Sequence, residues 1–137
     1  MSNYPVDLSV KPEVQAFFDP DTNTISYVVK DPASSACAVV DSVMDIDYAA
    51  GRITYGHADE MIAWIKAHGL TLEWIIETHV HADHLSAAPY IQDKLGGKIG
   101  IGDKIMVVQD TFVELDAADV RRTGLEVHEE RPETVCA

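Results

Sequence analysis

Three imidazoles and a carboxylate stand close together in Thr78-His79-Val80-His81-Ala82-Asp83-His84, directly after an apolar run and directly before a helix-like segment. Solvated loops carry histidines by accident. The H-x-H-x-D-H spacing, however, puts four good ligands where a chain reversal would converge them, and it reads as a metal site made of His79, His81, Asp83 and His84. In an extended segment side chains alternate, so His79 and His81 can project to one side and share an ion. Asp83 and His84 fall where the chain turns, and can serve a neighbouring metal or hold a metal-bound water. Imidazole and carboxylate suit zinc and ferrous iron alike, and no thiolate is at hand. Two reaction classes therefore stay open. A metal with a vacant position lowers the pKa of bound water toward about 7, with Asp83 as the catalytic group that orients it or takes its proton, which is hydrolysis. Iron held by two histidines and a carboxylate can instead take dioxygen and a thiol substrate, which is oxidation.

The elements around the motif are legible in outline. Val14-Gln15-Ala16-Phe17-Phe18 and Thr24-Ile25-Ser26-Tyr27-Val28-Val29 are β-branched and aromatic runs separated by Asp19-Pro20-Asp21-Thr22-Asn23, which predicts a hairpin. The continuous apolar run Ala36-Cys37-Ala38-Val39-Val40 predicts a third strand buried on both faces, ended by Asp41, so that the sheet starts antiparallel. A carboxylate at that place is either a turn former or a group aimed into a site. Residues 42–56, with Asp45, Asp47, Gly51 and Gly56 and no sustained period, read as a long loop. Ala58, Met61, Ile62 and Ile65 recur at helical spacing, with acids early, Lys66 and His68 late and Gly69 as the stop. His57 and His68 flank that helix and read as solvated or capping residues, since neither has a second ligand at metal spacing.

Residues 70–77 predict a fourth strand, so that strand, helix, strand suggests a crossover and the histidine motif leaves the strand's C-terminal end, where open α/β sheets bind ligands. Residues 85–95 read as a helix with Ser86 as cap and Pro89 in its first turn, and 98–102 as a short strand. Beyond Ile105 the pattern weakens, and about 113–137 reads as an acidic, divergent tail of a single domain, 1–137.

The chain has 10 basic and 23 acidic residues, a net charge of -13. That balance repels phosphate backbones and argues against a nucleic-acid partner. No apolar run approaches the roughly 20 residues that span a bilayer, and the first residues have neither the basic nor the apolar region of a secretory signal, so the expectation is a cytoplasmic protein away from membranes. Cys37 and Cys136 have neither the number nor the spacing of a disulfide framework, and Cys37 reads as a core residue.

His79-Val80-His81-Ala82-Asp83-His84 after a strand resembles the signature of the metallo-β-lactamase superfamily. Phe17-Phe18-Asp19, Cys37-Ala38-Val39-Val40-Asp41, Trp74-Ile75-Ile76-Glu77-Thr78 and Leu85-Ser86-Ala87-Ala88-Pro89-Tyr90 further resemble the bacterial persulfide dioxygenases, relatives of the glyoxalase II thioesterases. The resemblance runs from about Val14 to about Phe112. It implies an α/β (α+β) fold, the αββα sandwich of two similar halves, of which this chain carries the N-terminal αβ half. In the hydrolytic relatives the motif implies His79 and His81 on one zinc and Asp83 and His84 on a second. In the persulfide dioxygenases it implies one Fe(II) on His79, with His81, Asp83 and His84 as neighbours, and glutathione persulfide as substrate. Asp41 matches a strand-end aspartate that supports the metal loop.

The remaining ligands of those families, a histidine in a second strand-loop unit, a bridging aspartate and a last histidine, have no counterpart in this sequence. His128 does not match them and reads as a surface histidine. A lone αβ half would leave an apolar sheet face without the sheet it packs on. The expectation is a truncated, frameshifted or split chain, inactive alone, that needs a complementing half or a second copy, with a glyoxalase II-type dizinc Zn(II) hydrolase and a non-catalytic interaction module as alternatives.

Overall fold

The computed structural model describes residues 7–81 and 84–102 and the backbone of 135–136. Strands β1 (Glu13–Asp19) and β2 (Thr24–Lys30) form the expected hairpin, and β3 (Ala36–Val40) continues it antiparallel. The chain then makes β4 (Val43–Asp47) and β5 (Arg52–Thr54), helix α1 (Gly56–Ala67), and β6 (Thr71–Glu77), which returns parallel to β3. A two-residue strand β7 (Leu85–Ser86), helix α2 (Ala88–Leu95) and β8 (Lys98–Ile101) follow, and β9 (Val135–Cys136) lies parallel to β8 at the sheet's edge. The large sheet has the order β1-β2-β3-β6-β8-β9, and a small one the order β5-β4-β7.

Both helices cover one face of the large sheet. Val28, Cys37, Val39, Leu72 and Ile75 point to that face and close with Met61, Ile62, Ile65, Ala88 and Ile91 into one core. Cys37 is buried there, as the sequence predicts. The strand register puts Phe18 opposite Ile25 and Val40 opposite Ile76 on the other face. There Val14, Phe18, Ile25 and Ile76 are exposed, with Phe18 at 57%. This is one α layer on one β layer, the αβ half the resemblance implies, with an apolar face that no other described residues cover.

Helix α1 ends as its sequence predicts. Gly69 takes φ 62, its N–H donates to Lys66 O and that of Leu70 to Ile65 O, the paired bonds of a left-handed helix stop. His68 caps from the surface, its ring stacked on Trp64 with Nδ1 2.8 Å from Trp64 O.

Two expectations need correction. Residues 42–56 are a hairpin and not a loop: Val43 is fully buried, Asp45, Ile46 and Asp47 pair with Thr54, Ile53 and Arg52, and the turn closes with Ala50 N–H donating to Asp47 Oδ1. Its strands are too short, and its acids too frequent, for period 2 to register in the sequence. The helix expected from residue 85 begins at Ala88, because Leu85 and Ser86 pair with Met44 and Val43. Ser86 still receives the Ala88 N–H, but from a strand. The tail lies mostly outside the described residues, His128 included, yet Val135–Cys136 takes part in the sheet. No helix among the described residues is long and apolar enough to cross a membrane.

Candidate metal centre

The site forms where β3 and β6 end side by side. Asp41, the first residue after β3, has φ 53, a left-handed conformation unusual for a residue with a Cβ. Its N–H donates to Ile76 O across the strand pair. The carboxylate then reaches over the end of β6. Oδ1 accepts the Thr78 N–H at 2.8 Å, Oδ2 accepts the Thr78 hydroxyl at 2.7 Å, and Oδ1 lies 2.9 Å from His81 Nε2. Burial works against charge on Asp41, but the Thr78 donors and His81 outweigh it and hold the carboxyl below its ordinary value. Asp41 is thus both turn former and a group aimed into a site, the two readings its position in the sequence offered.

Glu77, the last residue of β6, approaches the same imidazole with Oε2 3.2 Å from His81 Nε2. It is 8% exposed, and its other oxygen accepts the Ser86 hydroxyl. Burial pushes its carboxyl up, with Ser86 and His81 opposing. Two carboxylates facing Nε2 mark it as a protonated, donating nitrogen of His81. For His79 the logic runs the other way. The Thr78 hydroxyl already donates to Asp41, so at 2.8 Å it accepts from His79 Nδ1, and Nε2 carries the lone pair.

One ligand atom from each of Asp41, His79 and His81 lies within 4.8 Å of the others. The donor set fits a divalent first-row cation such as zinc or ferrous iron: imidazoles oriented by hydrogen bonds, with carboxylates behind one of them. The rings of His79 and His81 are 4.1 Å apart, and those of His81 and His84 also 4.1 Å. His84 is buried, with Nδ1 3.4 Å from Thr24 Oγ1. The structure therefore brings His79 and His81 together with Asp41 and sets His84 beside His81, while Asp83 falls outside the described residues.

Two participants escaped the sequence. Glu77 reads there as the tail of a strand, and only its place one residue before the motif could have flagged it. His57, expected to be a solvated or capping residue, is 8% exposed, with Nε2 3.1 Å from Ser26 Oγ and its N–H donating to Asp45 Oδ2. It is buried because the hairpin of β4 and β5, invisible in the sequence, closes over the start of α1. Beside His84 an open cleft of about 670 Å³ runs along that hairpin, lined among others by Asp19, Asp45, Asp47 and Tyr48.

Residues 20–134 match the family model described as metallo-beta-lactamase superfamily. A probable metallo-hydrolase of Burkholderia pseudomallei is 51% identical over 102 residues, 74% of this chain and 35% of that protein. A beta-lactamase hydrolase-like protein of Agrobacterium fabrum is 47% identical over 103 residues, 75% of this chain and 24% of its own length. Among solved structures, that of ETHE1 from Myxococcus xanthus superposes with a TM-score of 0.53 at 23% identity, covering 64% of this chain and 34% of that one, a likeness of fold. The chain spans about a third or less of the length of these relatives. With the strand-end histidine cluster in place and the family model matched over most of the sequence, this chain belongs to the metallo-β-lactamase superfamily.

Proposed function

We propose that the chain supplies the metal-loop half of a mononuclear iron enzyme of the persulfide dioxygenase type, which converts glutathione persulfide and dioxygen to sulfite and glutathione in the cytoplasm. The observation that carries the metal reading is the cluster of Asp41, His79 and His81 ligand atoms within 4.8 Å of one another, with Thr78 orienting His79 to present Nε2 and with Asp41 and Glu77 holding the His81 ring through its Nε2. His79 would hold the ion, with His81 and His84 beside it, and Asp83 is assigned to orienting or deprotonating a reactant. Bound Fe(II) would supply open positions for dioxygen and a sulfur ligand. The choice of a persulfide rests on the resemblance of the flanking segments.

A second reading is a glyoxalase II-type dizinc thioesterase: the name of the Burkholderia relative, a probable metallo-hydrolase, favours hydrolysis, and His84 packs against His81, where a second cation would need ligands. Because the residues present form one side of a site, the partner in either reading is a complementing half on the bare sheet face. The test loads the chain with Fe(II) without air, or with Zn(II), alone and mixed with the C-terminal two thirds of the Burkholderia relative. Oxygen uptake dependent on glutathione persulfide, with iron and in the mixture only, is expected. Hydrolysis of a glutathione thioester with zinc, and no oxygen uptake with iron, would overturn the dioxygenase reading in favour of the second. Persulfide oxidation by the chain alone, lost in His79→Ala, would refute the need for a complement.

A further inference from the structure

Behind the metal loop, on the side of the sheet covered by helices, lies a polar chain that the site as described does not use. Ser26 on β2 is fully buried and its hydroxyl donates to the main-chain oxygen of Asp41 at 2.6 Å. A serine hydroxyl has one proton, so toward His57, 3.1 Å away, the same oxygen must accept, which makes His57 Nε2 the donor. His57 is itself seated in the first turn of α1, where its N–H is held by Asp45 of β4 at 3.0 Å.

We propose that Ser26 and His57 are positioning residues of the metal loop, a buried tether that holds Asp41 in its left-handed conformation so that its carboxylate meets Thr78 and His81. A residue with a Cβ at φ 53 persists only where its surroundings over-determine it. Asp41 has such surroundings on two sides, Ile76 O taking its N–H and Ser26 Oγ holding its carbonyl oxygen. Three elements far apart in sequence, β2, α1 and the end of β3, are thus linked through the Ser26 hydroxyl. Without the Ser26 hydroxyl the Asp41 carbonyl loses its donor in a buried setting, and the strained turn loses one of its two backbone anchors. The side chain that carries the Thr78 amide and the His81 ring would then sample other positions.

The functional meaning of the tether rests on the metal reading above, but its geometry does not, and the experiment separates them. In the labelled 137-residue chain without metal, amide hydrogen exchange at Thr78, whose N–H donates to Asp41 Oδ1, is compared with that of amides in β3 and β6. Ser26→Ala and His57→Leu are expected to raise Thr78 exchange about tenfold beyond any change in the strand amides. His57→Gln, which keeps an N–H donor at the end of the side chain, is expected to restore protection. A purely structural role would move all these amides together, and that result in His57→Leu would overturn the proposal. If Ser26→Ala does not fold, the contrast of His57→Leu with His57→Gln carries the test, and equal Thr78 protection in the two overturns it. A Co(II) titration of the same proteins adds the functional side: weaker binding in His57→Leu than in His57→Gln is expected. A wild-type chain that takes up no Co(II), alone or mixed with the C-terminal two thirds of the Burkholderia relative, would refute the metal reading and leave the exchange result standing.

Discussion

Replacing Thr78 by valine removes one hydroxyl and keeps the shape of the side chain, so it isolates two hydrogen bonds. One is the donor bond to Asp41 Oδ2 at 2.7 Å, and the other is the bond accepted from His79 Nδ1 at 2.8 Å. Hydrogen bonds to a charged partner contribute about 1.5–3 kcal/mol when sheltered and neutral ones about 1 kcal/mol, and Thr78 is exposed, so the low end applies to both. Together they come to about 2 kcal/mol, most of it orientation of His79 and Asp41 and little of it global stability. A contribution of that size corresponds to about a thirtyfold loss of affinity for a divalent cation, within the range of 10- to 100-fold seen when supporting groups of metal ligands are removed. The assay is a Co(II) titration followed by visible absorbance, with Zn(II) competition, on wild type, Thr78→Val and Thr78→Ser. Serine keeps the hydroxyl and should bind nearly as wild type does. Valine binding as tightly as wild type at an unchanged melting temperature would refute the reasoning, because the tautomer assignment of His79 depends on that hydroxyl.

Other expectations follow from the same geometry. Ile91→Ala, at a fully buried position on the core face of α2, should cost about 2–5 kcal/mol in a denaturant titration without changing the order of metal preference. Asp19 is 4% exposed; burial opposes its charge, but the Thr22 hydroxyl and amide overcome this and hold its carboxyl below the ordinary value. A depressed folded pKa gives stability that is complete above the unfolded value of 3.8 and is lost as pH falls through the folded one, so Asp19→Asn should flatten the acid side of a melting-temperature profile below about pH 4. An unchanged acid limb would show that Asp19 does not contribute. On the uncovered sheet face, Phe18→Ser with Ile76→Ser should reduce binding of a hydrophobic dye and self-association in sedimentation, while leaving the helix-side core folded. Equal dye binding by the double variant would place the sticky surface elsewhere.

Much of the fold was legible because its elements are long enough to show a period. The stripe of Met61, Ile62 and Ile65, the apolar run ending at Val40 and the glycine stop at Gly69 each carry their own local signal. The hairpin of β4 and β5 does not: it is held by partners in β7 and by the cap Asp45 gives α1, and neither relation is local in sequence. The same holds for the site. Its histidines announce themselves by spacing, whereas Glu77, Ser26 and His57 are ordinary strand and helix residues until the crossover sets β6 beside β3. His57 read as solvated or capping because it has no second ligand at metal spacing; its partners in space, Ser26 and Asp45, lie 31 and 12 residues away in sequence.

Among the described residues, the buried cluster on the helix side runs from Val28 to Ile91. Chains emerge from synthesis N-terminus first, and domains fold as units when their cores are complete. The layer that carries Asp41, Thr78, His79 and His81 can therefore close on itself once α2 has been made, ahead of any residue that follows. The histidine side of the site then stands on a layer whose buried cluster, among the described residues, is complete before β8 begins.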